Sequence, residues 1–117
     1  MMSFGPEHAP QVSVLDALGL LTGEAVLIDV REMDEWQAGH APMATHVPMS
    51  QLGAAAAQLS EHPRLIIICR SGRRSDQVVG ALVKAGYDAI NLDGGMHAWQ
   101  QAGGAVIRDD GTPGTVI

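Results

Sequence analysis

The chain has 117 residues, 46% of them hydrophobic, and carries 7 Lys and Arg against 13 Asp and Glu for a formal net charge of −6. That length and apolar content suit one domain whose core needs neither disulfides nor a structural metal, and the acidic balance argues against a general nucleic-acid binder, which requires a basic face. No stretch approaches the roughly 20 consecutive apolar residues of a membrane span, and Met1 to Pro10 lacks the basic start and apolar centre of a secretory signal, so no membrane contact is expected. A single cysteine cannot form an internal disulfide and suits a reducing compartment, which makes a cytoplasmic location the expectation.

In chain order, residues 1–10 read as a flexible lead-in with two prolines. Ser13 is placed to cap a helix bearing Val14, Leu15, Leu18 and Leu21, with Asp16 in the capping-box position and Gly23 as its stop. Ala25 to Val30 is an apolar run of strand length, with Asp29 and Arg31 at its carboxyl end. Glu32 to Gln37 fits one helical turn, Gly39 to Ala44 a loop, and Thr45 to Val47 a short strand. Pro48 and Ser50 then open a predicted helix carrying Leu52, Ala55, Ala56 and Leu59. Leu65 to Ile68 reads as the central strand, and a helix over Asp76 to Gly86 presents Val78, Val79, Leu82 and Val83 on one face. Asp88 to Leu92 is a further strand and Met96 to Ala102 a last helix, while residues 104–117 read as a mostly irregular tail. Strands alternating with helices over short connections predict an α/β fold with a mainly parallel sheet and helices on both faces, in which ligands bind beyond the carboxyl ends of the strands.

Cys69 stands at such an end, directly before Arg70-Ser71-Gly72-Arg73-Arg74-Ser75. A lone cysteine after a strand is more often a small buried hydrophobe than a nucleophile. The loop argues otherwise. Three of the chain's seven basic residues lie within five positions of the thiol, and the backbone N–H groups of a glycine-containing turn leading into a helix form a cradle for an anion. Such surroundings favour thiolate over thiol, lowering a free cysteine from about 8.5. Gly72 supplies the permissive backbone the turn requires.

Cys69-Arg70-Ser71-Gly72-Arg73-Arg74-Ser75 resembles the active-site loop of rhodanese-like sulfurtransferases. Asp29-Val30-Arg31-Glu32, with Glu35-Trp36 and Gly39-His40, resembles the family's amino-terminal signature, and Leu92-Asp93-Gly94-Gly95 with Trp99 its carboxyl-terminal one. The resemblance covers residues 11–103 and implies a rhodanese-like domain with about five strands. One departure is Ala41-Pro42-Met43-Ala44, where the family commonly has Ile-Pro-Gly-Ala. It bears on substrate access and partner choice rather than on the nucleophile.

The chemistry implied is sulfur transfer without cofactor or metal. Cys69 takes the outer sulfur of a small anionic donor such as thiosulfate, becoming a persulfide, and passes it to a thiol, to cyanide or to a sulfur-relay protein, so ping-pong kinetics are expected. Arg70, Ser71, Gly72, Arg73, Arg74 and Ser75 are the expected substrate-binding loop, with Arg70 and Arg73 at positions the family varies. Asp29, Arg31 and Glu35 read as supporting residues that satisfy loop N–H groups or pair with arginines, and by resemblance Glu35 pairs with Arg74. Two rivals stay open: a phosphatase or arsenate reductase on a similar cradle, and a non-enzymatic sulfur carrier or binding module. Related cell-cycle phosphatases have a loop one residue longer, with histidine before the cysteine, whereas Ile68 precedes Cys69 here.

Histidines at 8, 40, 46, 62 and 97 lack metal-site spacing. Asp93-Gly94-Gly95 has neither the spacing nor the lysine of a phosphate loop and reads as a turn starting the last helix. Trp36 and Trp99 read as packing residues.

Overall fold

A computed structural model describes residues 9–117. The elements are β1 (Gln11–Val12), α1 (Val14–Leu21), β2 (Ala25–Asp29), α2 (Met33–Ala38), β3 (Thr45–His46), a 3-10 turn (Met49–Gln51), α3 (Ala56–Leu59), β4 (Arg64–Ile68), α4 (Arg73–Lys84), β5 (Ala89–Leu92) and α5 (Gly95–Gln101). The five strands form one sheet in the order β1-β5-β4-β2-β3, with every pairing parallel. The expected mainly parallel α/β sheet is therefore present, with β4 at its centre.

The β4 run explains the layering. Alternate residues of a strand point to opposite faces. Ile66 and Ile68 pack with Val14, Ala17, Met96 and Trp99 on the face covered by α1 and α5. Leu65, Ile67 and then Cys69 join Leu59, Val78, Val79 and Leu82 on the face covered by α3 and α4. Burial of both faces is why the strand reads as a continuous apolar run rather than an alternating one. Each fully buried aliphatic side chain there stabilises the fold by about 1.5–3 kcal/mol. Cys69 inherits its direction from this alternation, facing the amino end of α4.

Local signals account for several boundaries. Ser13 Oγ accepts the Asp16 N–H at 3.1 Å, capping α1 as its sequence predicts. Glu35 Oε1 accepts the Glu32 N–H at 3.2 Å, closing the start of α2.

Other expectations are corrected. The helix predicted over Asp76 to Gly86 runs from Arg73 to Lys84, because Gly72 adopts a left-handed φ of 100° and ends the loop there. Arg73, Arg74 and Ser75 are thus the first turn of α4, not loop. The helix predicted after Pro48 is broken into the 3-10 turn and the four-residue α3, with Gly53 in the gap between them. Strand β1 is too short, at two residues, for a periodicity to reveal it.

The predicted lead-in lies, over residues 1–8, outside the described residues. Residues 104–117 contain no helix or strand, yet they are bonded to the body. His40 and Ile107 exchange backbone hydrogen bonds at 2.8 and 2.9 Å, and the Thr115 N–H donates to the Ala38 carbonyl at 2.8 Å. Gly39 permits this approach, since a Cβ there would lie 2.6 Å from the Thr115 oxygen. Among the described residues no helix is long and apolar enough to cross a membrane.

Candidate active site

Cys69 Sγ sits inside a ring of donors at the carboxyl end of β4. The Gly72 N–H donates to it at 3.1 Å, the Ser75 N–H at 3.4 Å and the Ser75 hydroxyl at 3.2 Å. The first turn of α4, which leaves its N–H groups without intrahelical partners, supplies these contacts. They converge because Gly72 turns the chain back at positive φ, a conformation costly for residues with a Cβ.

Two opposing effects set the acidity of the thiol. Burial, the largest, pushes Cys69 up, but the Ser75 hydroxyl and then the N–H groups of Ser75, Gly72 and Ser71 together outweigh it and hold the thiol below its usual value. The influences that lower it most are donors at bonding distance rather than the arginine charges that the sequence suggested. Ser75, expected as a substrate contact, points its hydroxyl at the sulfur itself. The pH profile of iodoacetamide alkylation should accordingly have its half-point below that of a simple thiol, near 8.5. The shape of the profile, rather than the absolute rate of a side chain only 1% exposed, carries the information. A half-point matching a model thiol would show that the cradle does not favour thiolate.

The base of the loop is held by the carboxyl-terminal motif. Gly94 caps α5 at a φ of 77° and Gly95 follows at 58°. The N–H groups of Met96 and His97 donate to the carbonyls of Cys69 and Arg70 at 2.8 and 3.0 Å. A Cβ on Gly95 would strike the Cys69 carbonyl oxygen and lie 2.7 Å from that of Arg70, so only glycine lets the two segments meet. The turn predicted at Asp93-Gly94-Gly95 is present. Its part in holding the cysteine loop was not legible in the sequence, because it depends on contacts more than 20 residues apart.

Arg74, half-buried, reaches across to Glu35, Nη1 meeting Oε1 at 2.6 Å and Nη2 meeting Oε2 at 2.7 Å. This two-pronged, charge-assisted pair ties the first turn of α4 to α2. Arg74 holds the Glu35 carboxyl below its ordinary value, against a smaller opposing effect of burial. Glu35, through its hydrogen bond, in turn raises Arg74, with the charge of Cys69 adding to the effect.

Asp29 and Arg31 form a separate buried unit. Arg31 Nε donates to Asp29 Oδ1 at 3.0 Å, while Nη2 donates to Asp29 Oδ2 and to the Gly39 carbonyl, each at 2.8 Å. Both side chains are fully buried, so this pair anchors the loop after β2 rather than reaching a ligand.

Arg70 and Arg73 are exposed, as is Ser71. A groove of about 670 Å³ runs beside the loop, lined by Ser71, Gly72 and Arg73 together with Gln11, Asp76 and Asn91. Trp36 does more than fill space. Its ring stacks on His40 at 3.5 Å and on His46 at 4.8 Å, and its indole N–H donates to Asp109 in the tail at 3.2 Å. Trp99 is buried, with its indole N–H on the Ala105 carbonyl. Among the described residues no group of three or more His, Cys, Asp or Glu is arranged to hold a metal ion.

A parallel α/β sheet that holds a cysteine in a backbone cradle at its carboxyl edge sets the class, an α/β domain built around a cysteine loop. Within that class the chain belongs to the rhodanese-like domain family, whose model matches residues 13–102. It is 39% identical over 77 residues to "Putative sulfurtransferase YtwF" of Bacillus subtilis, covering 66% of this chain and 75% of that one. It is 36% identical over 74 residues to "Putative sulfur carrier protein YrkF" of the same organism, covering 62% of this chain and 40% of that one. Among solved structures, a thiosulfate sulfurtransferase from Pseudomonas aeruginosa superimposes with a TM-score of 0.78 at 28% identity, over 93% of this chain and 22% of that one. The chain thus spans less than half of YrkF and under a quarter of the Pseudomonas protein.

Proposed function

We propose that this chain is a sulfurtransferase that carries sulfane sulfur as a persulfide on Cys69. The observation supporting this is the turn from Cys69 through Gly72 into the first turn of α4, which directs three hydrogen bonds, from the Gly72 N–H and the Ser75 N–H and hydroxyl, onto one sulfur atom. The thiolate attacks the outer sulfur of thiosulfate, the donor's S–S bond breaks, and sulfite leaves with the bonding electron pair. The new Cys69 persulfide carries its negative charge on the terminal sulfur, where the cradle N–H groups of Ser71, Gly72 and Ser75 stabilise it. Cyanide or a thiolate then attacks that terminal sulfur and Cys69 departs as thiolate, ready for another cycle. Arg70 and Arg73, exposed beside the loop, draw in the anionic donor.

The related cell-cycle phosphatases carry arginine six positions after the cysteine, where this chain has Ser75 with its hydroxyl on Cys69 Sγ. That arrangement favours sulfur over phosphoryl chemistry. A second reading is supported by the likeness to YrkF: the persulfide is delivered to one protein partner, with little turnover of small molecules.

One comparison tests both. Purified protein is offered thiosulfate, a protein persulfide or an aryl phosphate, with cyanide as acceptor for the sulfur donors. Thiocyanate should form from thiosulfate in a Cys69-dependent reaction, with aryl phosphate hydrolysis negligible beside it. Persulfide formation from the protein donor alone would transfer the assignment to a carrier, and Cys69-dependent phosphate hydrolysis at a comparable rate would overturn sulfur transfer.

A further inference from the structure

Asn91 lies at the carboxyl end of β5, directly before the Leu92 to Gly95 motif, and is 2% exposed. Its Nδ2 donates to the Gly72 carbonyl at 3.1 Å and to Gln11 Oε1 at 2.8 Å. Gln11 Nε2 donates in turn to Asp76 Oδ1 at 2.6 Å, and the Asp76 N–H donates back to the Gly72 carbonyl at 3.1 Å. The hydrogen bonds close a ring: Gly72, Asn91, Gln11, Asp76 and again Gly72. It links β1, β5 and the first turn of α4, and Gln11 and Asn91 are paired in strand register.

The ring closes on the residue that the cradle most depends on. Gly72 occupies the left-handed region, and its N–H donates to Cys69 Sγ at 3.1 Å. Glycine is free to leave that conformation, so something outside the loop must select it. Asn91 has the placement and the chemistry to do so. Both Nδ2 hydrogens are used, whereas its Oδ1 is buried and has no hydrogen-bond partner among the described residues. Leaving a buried acceptor unsatisfied has a cost, which indicates that the side chain is present for its donors. An aspartate would offer only acceptors to the Gly72 carbonyl, and an aliphatic residue would offer nothing.

We infer that Asn91 is a positioning residue for the nucleophile: by pinning the Gly72 carbonyl, with Gln11 as its brace, it keeps the Gly72 N–H directed at Cys69 Sγ. It acts through Gly72 and touches no reacting atom. The inference deepens the proposed use of Cys69 but does not require a particular sulfur donor, because the thiol can be followed directly.

The test is the pH profile of Cys69 alkylation in Asn91→Leu, which is near in size and changes no charge, so that Arg74, Glu35, Asp76 and Asp93 near the cradle keep theirs. The half-point should rise by roughly half a unit to one unit, the value of one weakened hydrogen bond to a charged group. Gln11→Leu, on the edge strand where folding is least at risk, should move it the same way by about half as much. If thiosulfate turnover is present in the parent protein, Asn91→Leu should lower kcat by about threefold to tenfold and leave KM within about twofold. A shifted half-point without sulfurtransferase activity would uphold Asn91 while removing the proposed reaction. An unmoved half-point in either folded variant would overturn the assignment and leave Asn91 a residue of structural importance only.

Discussion

Cys69→Ser should fold as the parent does and make no thiocyanate above background, a loss of more than about a thousandfold. The substitution exchanges one small side chain for another in a site whose donors, the Gly72 N–H and the Ser75 N–H and hydroxyl, can equally serve an oxygen. The apolar neighbours on the α4 face, Ile67, Val78 and Val79, are untouched. What disappears is the atom that can hold a second sulfur in a covalent bond and release it to an acceptor. Thermal unfolding monitored beside the cyanide assay separates the two effects. Substantial thiocyanate production by the folded serine variant would remove the persulfide from the mechanism.

Arg74→Ala should lower stability and turnover together. The pair with Glu35 is only partly enclosed, with the arginine side chain 34% and the glutamate 14% exposed. Its loss therefore falls between that of a surface ion pair and a buried one, at about 1–2 kcal/mol, or a fall of about 5–10 °C in Tm for a domain of this size. Turnover falls because Arg74 and Ser75 share the first turn of α4, so releasing that turn from α2 loosens the hydroxyl and N–H on Cys69 Sγ. Glu35 also brings a pH dependence. Arg74 holds its folded-state pKa below the ordinary carboxylate value, so its contribution is fully present above the unfolded-state pKa, near 4.3, and is lost as the pH falls through the lower folded-state value. Parent protein should lose part of its stability in that acid window, and Arg74→Ala should lose less there. An Arg74→Ala protein with unchanged Tm and weaker donor affinity alone would instead place Arg74 in the binding site.

Much of this architecture was legible in the residues themselves. Leu65 to Ile68 reads as a central strand because an apolar run free of polar alternation must be covered on both faces, and Cys69 follows at its carboxyl end, where ligands of parallel sheets collect. The density of arginine after Cys69, the glycine at position 72, and two further motifs spaced along the chain identify the cradle and the family. Their order in the sequence is enough, because each motif is local. The Glu35–Arg74 pair was available only through resemblance, since 39 residues separate the partners.

The tertiary structure alone decided how the cradle is held. The start of α4 at Arg73 follows from the left-handed Gly72, a backbone choice that helical periodicity beginning at Val78 does not encode. Whether Ser75 contacts a substrate or the sulfur depends on where that first turn falls. The backbone contact of Gly95 with the Cys69 loop, the ring through Gln11 and Asn91, and the stacking of His40 and His46 on Trp36 all join residues from different elements. Composition and spacing report which faces of a helix or strand must be buried. They do not report which polar group on one element will satisfy a polar group on another, because that depends on strand order and register, which exist only once the sheet has formed.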